Sequence, residues 1–121
     1  MNTNKTILIV DDDEMIHRFF NLFLAREGYR ITFSRDRESA LHSINSQAPD
    51  LIFIDINLGD ENGGLLCKDL KDQGNLQDIP ILLISGVELS SDECKKFRAD
   101  GFVTKPMDIR NLKELIKSCL F

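Results

Sequence analysis

The chain has 121 residues, of which 42% are hydrophobic and 29% charged, a composition typical of one globular domain whose core needs neither metals nor disulfides. Its longest apolar runs fall far short of the about 20 residues that span a bilayer, and its N-terminus lacks a signal-peptide core, so membrane insertion and secretion are not expected. Fifteen basic against twenty acidic residues leave a net charge of −5, which provides no positive field for nucleic acid, and direct DNA or RNA binding is not expected either.

The first 50 residues predict two strand–helix pairs. Thr6–Val10 has the character of a strand, and a helix with a core-facing stripe follows it and ends near Gly28. The stripe has the spacing i, i+3, i+4, i+7 and i+8: Ile16, Phe19, Phe20, Phe23 and Leu24. Arg30–Ser34 predicts the second strand, and Asp36 is suited to cap a second helix. The short apolar stripe of that helix is Ala40, Leu41 and Ile44.

Three further strands are predicted in the rest of the chain. They are Leu51–Asp55, Ile81–Ser85 and Gly101–Thr104. The segments 51–54 and 81–84, like 7–10 in the first strand, are apolar at every position. Uninterrupted apolar runs of this length are typical of strands that are buried on both faces of a parallel sheet.

Helical patterns follow each of these strands. Leu66, Cys67 and Leu70 indicate a third helix that ends near Gly74. The fourth helix has a capping-box signature in Ser90 and Glu93, and its only strong apolar anchor is Phe97. The fifth begins near Asp108, with Leu112, Leu115, Ile116 and Cys119 on one side.

Strand and helix therefore alternate five times, which predicts an α/β fold. Right-handed crossovers require a parallel sheet with helices on both faces, the doubly wound arrangement. Ligands of such sheets bind beyond the carboxyl ends of the strands, where the strand order reverses. Functional residues are therefore expected directly after the apolar runs.

Charged and polar side chains occur at these positions. Asp11 and Asp12 follow the first strand, with Asp13 and Glu14 expected in the first turn of the helix, while Asp55 closes the third strand. The fourth strand ends in Ser85–Gly86, and Lys105–Pro106 follows the fifth. An ionised Asp55 at the centre of a sheet is costly unless a cation compensates it, and a neighbouring Asp11 or Asp12 would raise its pKa. A divalent metal and Lys105 are the nearest compensators.

Four segments together resemble the receiver domain of two-component response regulators, and the resemblance covers the whole chain, residues 1–121. The matching segments are ILIVDDDE at 7–14, LIFID at 51–55 with Gly63 eight residues after Asp55, PILLISG at 80–86 and GFVTKP at 101–106. The family implies a flavodoxin-like (βα)5 sandwich with a five-stranded parallel sheet of order 2-1-3-4-5. It also implies Mg²⁺ binding and transfer of a phosphoryl group from a phosphohistidine to an aspartate.

The resemblance assigns a role to each residue at the strand ends. Asp55 matches the phosphoacceptor, and Asp11 and Asp12 match the acidic pair that binds Mg²⁺ together with Asp55 and the backbone carbonyl of Asn57. The family's remaining functional positions are filled by the switch hydroxyl of Ser85, the lysine Lys105 and the aromatic switch residue Phe102. The Lys105–Pro106 peptide bond is expected to be cis, as in the family.

Elementary chemistry explains these residue types. A carboxylate is a poor nucleophile toward a phosphoryl dianion because both are negative, and Mg²⁺ commonly takes one or two carboxylates together with phosphate oxygens. Lys105 can offer a point charge to a second phosphoryl oxygen, and Ser85 a hydrogen bond to the third. We expect Ser85 to move toward the new acyl phosphate and Phe102 to rotate into the vacated space. This movement would remodel the face that the fourth helix, fifth strand and fifth helix build.

The expected partners follow from the same resemblance. A histidine kinase or a histidine phosphotransfer protein would donate the phosphoryl group, and a downstream protein or a covalent output domain absent from this chain would receive the signal. Catalysis would be limited to the protein's own phosphorylation and dephosphorylation, so a conventional enzyme is not expected. His17 and His42 are expected on helix faces and not as phosphorylated residues. Three widely spaced cysteines without metal-ligand spacing favour reduced thiols in a cytoplasmic protein.

Some features leave alternatives open. Gly59 replaces the proline usual in the family, which should make the loop after Asp55 more flexible. A flavodoxin-like FMN binder would need a phosphate loop where the acidic run stands. A Mg²⁺ phosphatase with an aspartyl nucleophile after the first strand would leave Asp55 unexplained. A degenerate receiver that docks proteins without phosphorylation is the third alternative, although all the site residues are present.

Overall fold

The computed structural model describes residues 4–121 and contains five pairs of a strand and a helix. The strands are β1 (Thr6–Val10), β2 (Arg30–Ser34), β3 (Leu51–Asp55), β4 (Ile81–Ser85) and β5 (Gly101–Thr104). The helices are α1 (Glu14–Leu24), α2 (Arg37–Ser46), α3 (Gly63–Lys71), α4 (Ser91–Lys96) and α5 (Ile109–Leu120), and one 3-10 turn (Ala25–Glu27) extends α1. All ten elements occur where the hydrophobic pattern predicts them.

The five strands form one parallel sheet of order β2-β1-β3-β4-β5, which confirms the predicted doubly wound, flavodoxin-like architecture. The order reverses between β1 and β3, because the chain adds β2 on one side of β1 and all later strands on the other. The predicted burial follows from this order, since every residue of the central strands β3 and β4 is buried. The edge strand β2, by contrast, is mostly exposed.

Two apolar layers cover the faces of the sheet. Phe20 and Leu24 of α1 pack with Leu112 and Ile116 of α5 on one face. Helices α2 and α3 pack on the other face, where Leu89 and Phe97, which flank α4, join the same layer. The six residues of α4 itself contribute no buried side chain.

Short polar side chains fix the start of each helix. Asp13 caps α1 by accepting the Met15 N–H, and Asp108 caps α5 in the same way. Asp36 and Ser90 each take part in a capping box, as the sequence pattern predicts for Ser90. Asn62 accepts the N–H groups of two residues in the first turn of α3. Because each cap follows shortly after a strand, most helices start at the carboxyl edge of the sheet.

Two local features border this edge. A small antiparallel hairpin of Asn57–Leu58 and Glu61–Asn62 lies between β3 and α3, and Gly59 in its turn has a positive φ of 61°. The Lys105–Pro106 bond is cis, which confirms the prediction. The three cysteines are unpaired. Across residues 4–121, no helix has both the length and the apolar character needed to cross a bilayer.

Candidate functional site

The carboxyl ends of β1, β3 and β5 bring charged side chains together at one edge of the sheet. One oxygen each of Asp11, Asp12 and Asp55 lies within 4.8 Å of the others, the spacing of ligands around a metal ion. Lys105 reaches the same place from the loop after β5, with its Nζ 3.0 Å from Oδ2 of Asp55. The sheet topology produces this meeting, because β1 and β3 are neighbours and parallel strands end at the same edge.

Both carboxylate oxygens of Asp55 are engaged in hydrogen bonds. Oδ2 accepts from the ammonium of Lys105, and Oδ1 accepts the backbone N–H of Asn57 at 3.0 Å. The residue is only 5% exposed, so the two donors offset the cost of burying its charge. The Asn57 bond also fixes the orientation of the carboxylate relative to the loop that follows β3.

Asp11 is fully buried, and only one of its two carboxylate oxygens accepts a hydrogen bond from the described residues. Its Oδ1 accepts the backbone N–H of Asp13 at 2.9 Å, whereas Oδ2 has no hydrogen-bond partner among residues 4–121 and lies 3.9 Å from the Lys105 Nζ. Burial raises the pKa of Asp11 to about 6, although the Asp13 N–H acts against it; the charge of Asp55 adds to the increase. An unpartnered buried carboxylate oxygen beside two other carboxylates is the environment that a bound cation would relieve.

Lys105 carries the only cationic group that the described ion pairs place on these carboxylates. Burial acts to lower the pKa of Lys105, but its hydrogen bond with Asp55 and the charges of Asp55 and Asp11 outweigh burial, and the net pKa is raised. The ammonium therefore stays charged at neutral pH. One such charge faces three carboxylates, so the site retains a negative balance.

Ser85 lies at the end of β4, next to the strand that carries Asp55, and its side chain is buried. Its Oγ accepts the backbone N–H of Val87 at 3.2 Å, and a hydroxyl that accepts one bond still has a hydrogen to donate. Phe102 lies on β5 opposite Leu83. The Phe102 ring is half-buried and packs against the apolar layer that includes Leu89 and Phe97 on either side of α4.

The backbone at this edge requires glycine at one position. Gly63 starts α3, and a Cβ built on it would overlap the carbonyl oxygen of Asp55 and lie 2.8 Å from its carbonyl carbon. The Gly63 N–H also donates to the Ile56 carbonyl. The helix therefore packs directly on the backbone of Asp55, which explains physically the spacing of eight residues between Asp55 and Gly63.

One contact at the site has no counterpart in the sequence pattern. The imidazole of His17, expected only on a helix face, lies 2.6 Å through Nε2 from the carbonyl oxygen of Asp11. A bond to a backbone carbonyl leaves no residue-type signature at the acceptor, so the sequence offers no signal for it. His42 is exposed on α2, as expected.

Comparison with known proteins places the chain among signalling domains. The family model described as "Response regulator receiver domain" matches residues 7–117. The chain is 34% identical over 119 residues to the alkaline phosphatase synthesis transcriptional regulatory protein PhoP of Bacillus subtilis, covering 97% of this chain and 49% of PhoP. It is 31% identical over 119 residues to the polar-differentiation response regulator DivK of Brucella anthropi, covering 96% of each. The chain thus spans about half the length of PhoP but nearly all of DivK.

Solved structures agree with the sequence relatives. A putative response regulator from Chloroflexus aurantiacus has a TM-score of 0.90 at 28% identity, with 98% of each chain covered. The chemotaxis response regulator CheY4 of Vibrio cholerae has a TM-score of 0.88 at 26% identity, covering 98% of this chain and all of that one (100%).

Proposed function

Because the chain belongs to the response regulator receiver domain family, we propose that it works as one phosphoacceptor unit, residues 1–121, in which Asp55 receives a phosphoryl group from a phosphohistidine. The observation that carries this proposal is the pairing of Asp55 with Lys105 at 3.0 Å beside the unsatisfied oxygen of Asp11. A nucleophilic carboxylate, a cationic side chain and a place for a cation are the three parts that transfer to an aspartate requires.

The proposed step is a displacement at phosphorus. A carboxylate oxygen of Asp55 forms a bond to phosphorus while the bond from phosphorus to the donor's imidazole nitrogen breaks, and that nitrogen leaves with the electron pair. The products are an acyl phosphate on Asp55 and a free histidine on the donor. The ammonium of Lys105 pairs with the carboxylate before transfer and can pair with a phosphoryl oxygen after it. The Asn57 N–H keeps the carboxylate oriented.

The residues fit a magnesium ion. The carboxylates of Asp11, Asp12 and Asp55 supply hard oxygen ligands, and the backbone carbonyl of Asn57 would add another. A bound Mg²⁺ supplies charge neutralisation between the acceptor and the incoming phosphoryl group. The unpartnered Oδ2 of Asp11 is the feature of this chain that such an ion would satisfy.

Signal output is proposed to run through Ser85 and Phe102. An acyl phosphate carries more negative charge and more acceptor oxygens than a carboxylate, and the hydroxyl of Ser85 can donate to one of them. Movement of Ser85 would free space toward Phe102, which already packs against the layer beside α4. Because α4 buries none of its own side chains, the face of α4, β5 and α5 can change at low cost.

The proposed partners are those of a phosphorelay. A histidine kinase or histidine phosphotransfer protein in the cytoplasm would supply the phosphohistidine. A downstream protein, or an output domain joined to the receiver, would read the remodelled face of α4, β5 and α5. Any catalysis would be limited to the domain's own phosphorylation and dephosphorylation.

Intact-mass spectrometry tests the proposal directly. The protein is incubated with phosphoramidate and Mg²⁺, and we expect a mass gain of one phosphoryl group that a chelator prevents. Asp55→Asn should gain nothing, whereas the matched control Asp60→Asn, an exposed carboxylate in the neighbouring loop, should react like the unaltered protein. No gain in the unaltered protein would favour a docking module that works without phosphorylation. Hydrolysis of small phosphomonoesters that survives Asp55→Asn would favour an aspartyl phosphatase.

A further inference from the structure

His17 makes an unusual contact with the backbone of the acidic loop. It lies in α1 and is half-buried, with Nε2 2.6 Å from the carbonyl oxygen of Asp11. A carbonyl oxygen only accepts hydrogen bonds, so Nε2 carries the hydrogen and donates it. The imidazole thus binds the peptide group that joins Asp11 to Asp12.

The imidazole ring is itself held in place. It stacks on Phe33 of β2 with ring centroids 4.5 Å apart and an angle of 26° between the planes. The next residue of that strand, Ser34, accepts the Asp11 N–H at 2.9 Å. The end of β2 therefore supports Asp11 in two ways. The Ser34 carbonyl accepts the Asp11 N–H, and Phe33 holds the ring of His17, which binds the Asp11 carbonyl.

This arrangement controls more than Asp11. The peptide group between Asp11 and Asp12 is planar, so fixing its carbonyl also fixes the direction in which the chain enters Asp12. Asp12 is exposed, and its carboxylate nonetheless lies within 4.8 Å of the oxygens of Asp11 and Asp55. The hydrogen bond from His17 to the Asp11 carbonyl can therefore direct the Asp12 carboxylate toward those of Asp11 and Asp55, although His17 does not touch the Asp12 carboxylate.

We propose that His17 is a positioning residue for the magnesium site. It holds the Asp11–Asp12 peptide group so that the carboxylates of both residues face Asp55. The inference rests on the proposed function, because it assigns the ion to these carboxylates. It adds a residue outside the four matching segments on which the resemblance rests. His17 neither ligates the ion nor contacts the phosphoryl group. It acts through its N–H, and the stacking on Phe33 supports the ring that carries this donor.

Two substitutions separate the donor from the ring. His17→Phe keeps an aromatic ring against Phe33 but removes the N–H, and His17→Gln loses the ring but keeps an amide N–H of similar reach. Isothermal titration calorimetry with MgCl₂ measures the affinity of each variant and of the unaltered protein. Loss of groups that orient metal ligands typically weakens binding by about 10- to 100-fold, and we expect the lower end, about tenfold, for His17→Phe. We expect His17→Gln to restore most of the affinity.

A second measurement needs no metal. In the metal-free protein, the amide resonances of Asp12 and Asp13 should shift in His17→Phe and stay near their original positions in His17→Gln. If the His17 side chain had only a structural role, both variants would lose stability, and the Asp12 and Asp13 amide shifts would not differ between them. If His17→Phe yields no folded protein, His17→Leu takes its place, since it also removes the donor; weaker Mg²⁺ binding than in His17→Gln is then expected.

The outcomes are distinct. Equal Mg²⁺ affinity in His17→Phe and the unaltered protein overturns the inference while leaving the proposed function intact, as does an equal loss in both His17 variants. Unchanged affinity in His17→Leu, where that variant is needed, does the same. If the unaltered protein neither binds Mg²⁺ nor gains a phosphoryl group, the proposed function is wrong and the inference falls with it.

Discussion

Asp11 is buried at a cost in stability, while the proposed function needs its ionised carboxylate. Burial is the main reason that its pKa rises to about 6, above the ordinary 3.8 of an unfolded chain. The folded state therefore holds the proton more tightly. In the metal-free protein, this group's contribution to stability is largest below the unfolded pKa and is lost as the pH rises through about 6. At neutral pH the folded chain bears the cost of a buried charge.

Asp11→Asn should therefore stabilise the metal-free protein while it weakens Mg²⁺ binding. The amide oxygen can still accept the Asp13 N–H, and the buried charge is gone. We expect the free energy of unfolding at pH 7.5 in chelator to rise by about 1–2 kcal/mol, and the gain to shrink near pH 4.5. Urea denaturation measures both. The exposed control Asp92→Asn should change little, and a destabilised Asp11→Asn in chelator would contradict the argument.

Gly63 is a second residue where a single atom matters. The Cβ of Gly63→Ala would overlap the Asp55 carbonyl oxygen and lie 2.9 Å from the Ile54 Cγ2, so α3 or β3 must shift. We expect a loss of about 1–3 kcal/mol in the free energy of unfolding, together with slower phosphorylation of Asp55. Gly74→Ala is the matched control, because its Cβ would meet nothing within 4 Å. Equal stability of both variants in urea would show that the close approach is not constraining.

The residues that the sequence could and could not predict differ in a physical way. Asp11, Asp55 and Ser85 are visible because polar side chains end apolar strands, where burial makes them costly, and Lys105 is visible because it directly follows the fifth strand. Their chemical roles follow from the resemblance and stay predictions. The His17 bond could not be predicted, because its acceptor is a backbone carbonyl that every residue type offers. The clash behind Gly63 depends on the angle at which α3 meets β3.

At the scale of elements, α4 is held mainly from its flanks. The helix buries no side chain of its own, while Leu89 before it and Phe97 at its C-cap are each only 6% exposed. The Phe97 ring packs against the start of α3, where a Cβ on Gly64 would lie 2.6–2.7 Å from three of its ring atoms. Helix α3, which follows the loop after Asp55, thus contacts Phe97, the anchor of the helix proposed to switch. Sequence patterns predicted the weak anchoring of α4 but not this contact.

Gly64→Ala should accordingly loosen α4. The added methyl group displaces the Phe97 ring, and we expect the free energy of unfolding to fall by about 1–3 kcal/mol and amide hydrogen exchange to rise across residues 90–98. Combining it with Phe97→Leu should cost less than the sum of the two single changes by about 1 kcal/mol, since the smaller side chain makes room. Strict additivity in this double-mutant cycle would mean that the two residues are not coupled.

At the scale of the whole molecule, topology assembles the site from parts distant in the chain. Residues 11, 55 and 105 meet because they lie at or just after the carboxyl ends of parallel strands of one sheet. The alternation of apolar runs and capped helices is enough to predict this layering, whereas the order of the strands needed the resemblance as well. The same assembly concentrates negative charge at one edge of a chain whose net charge is already −5.

Magnesium should therefore stabilise the entire fold. An ion that binds only the folded state raises the free energy of unfolding by RT ln(1 + [Mg²⁺]/Kd), which is about 1.4 kcal/mol at ten times the Kd. Thermal unfolding followed by circular dichroism should show a higher Tm as MgCl₂ is added, after correction to constant ionic strength with NaCl. Asp12→Asn should flatten this dependence, because it removes the charge of an exposed carboxylate of the proposed site with little effect on the core. An equal rise in Tm with NaCl alone would assign the effect to screening of the acidic edge and not to a bound ion.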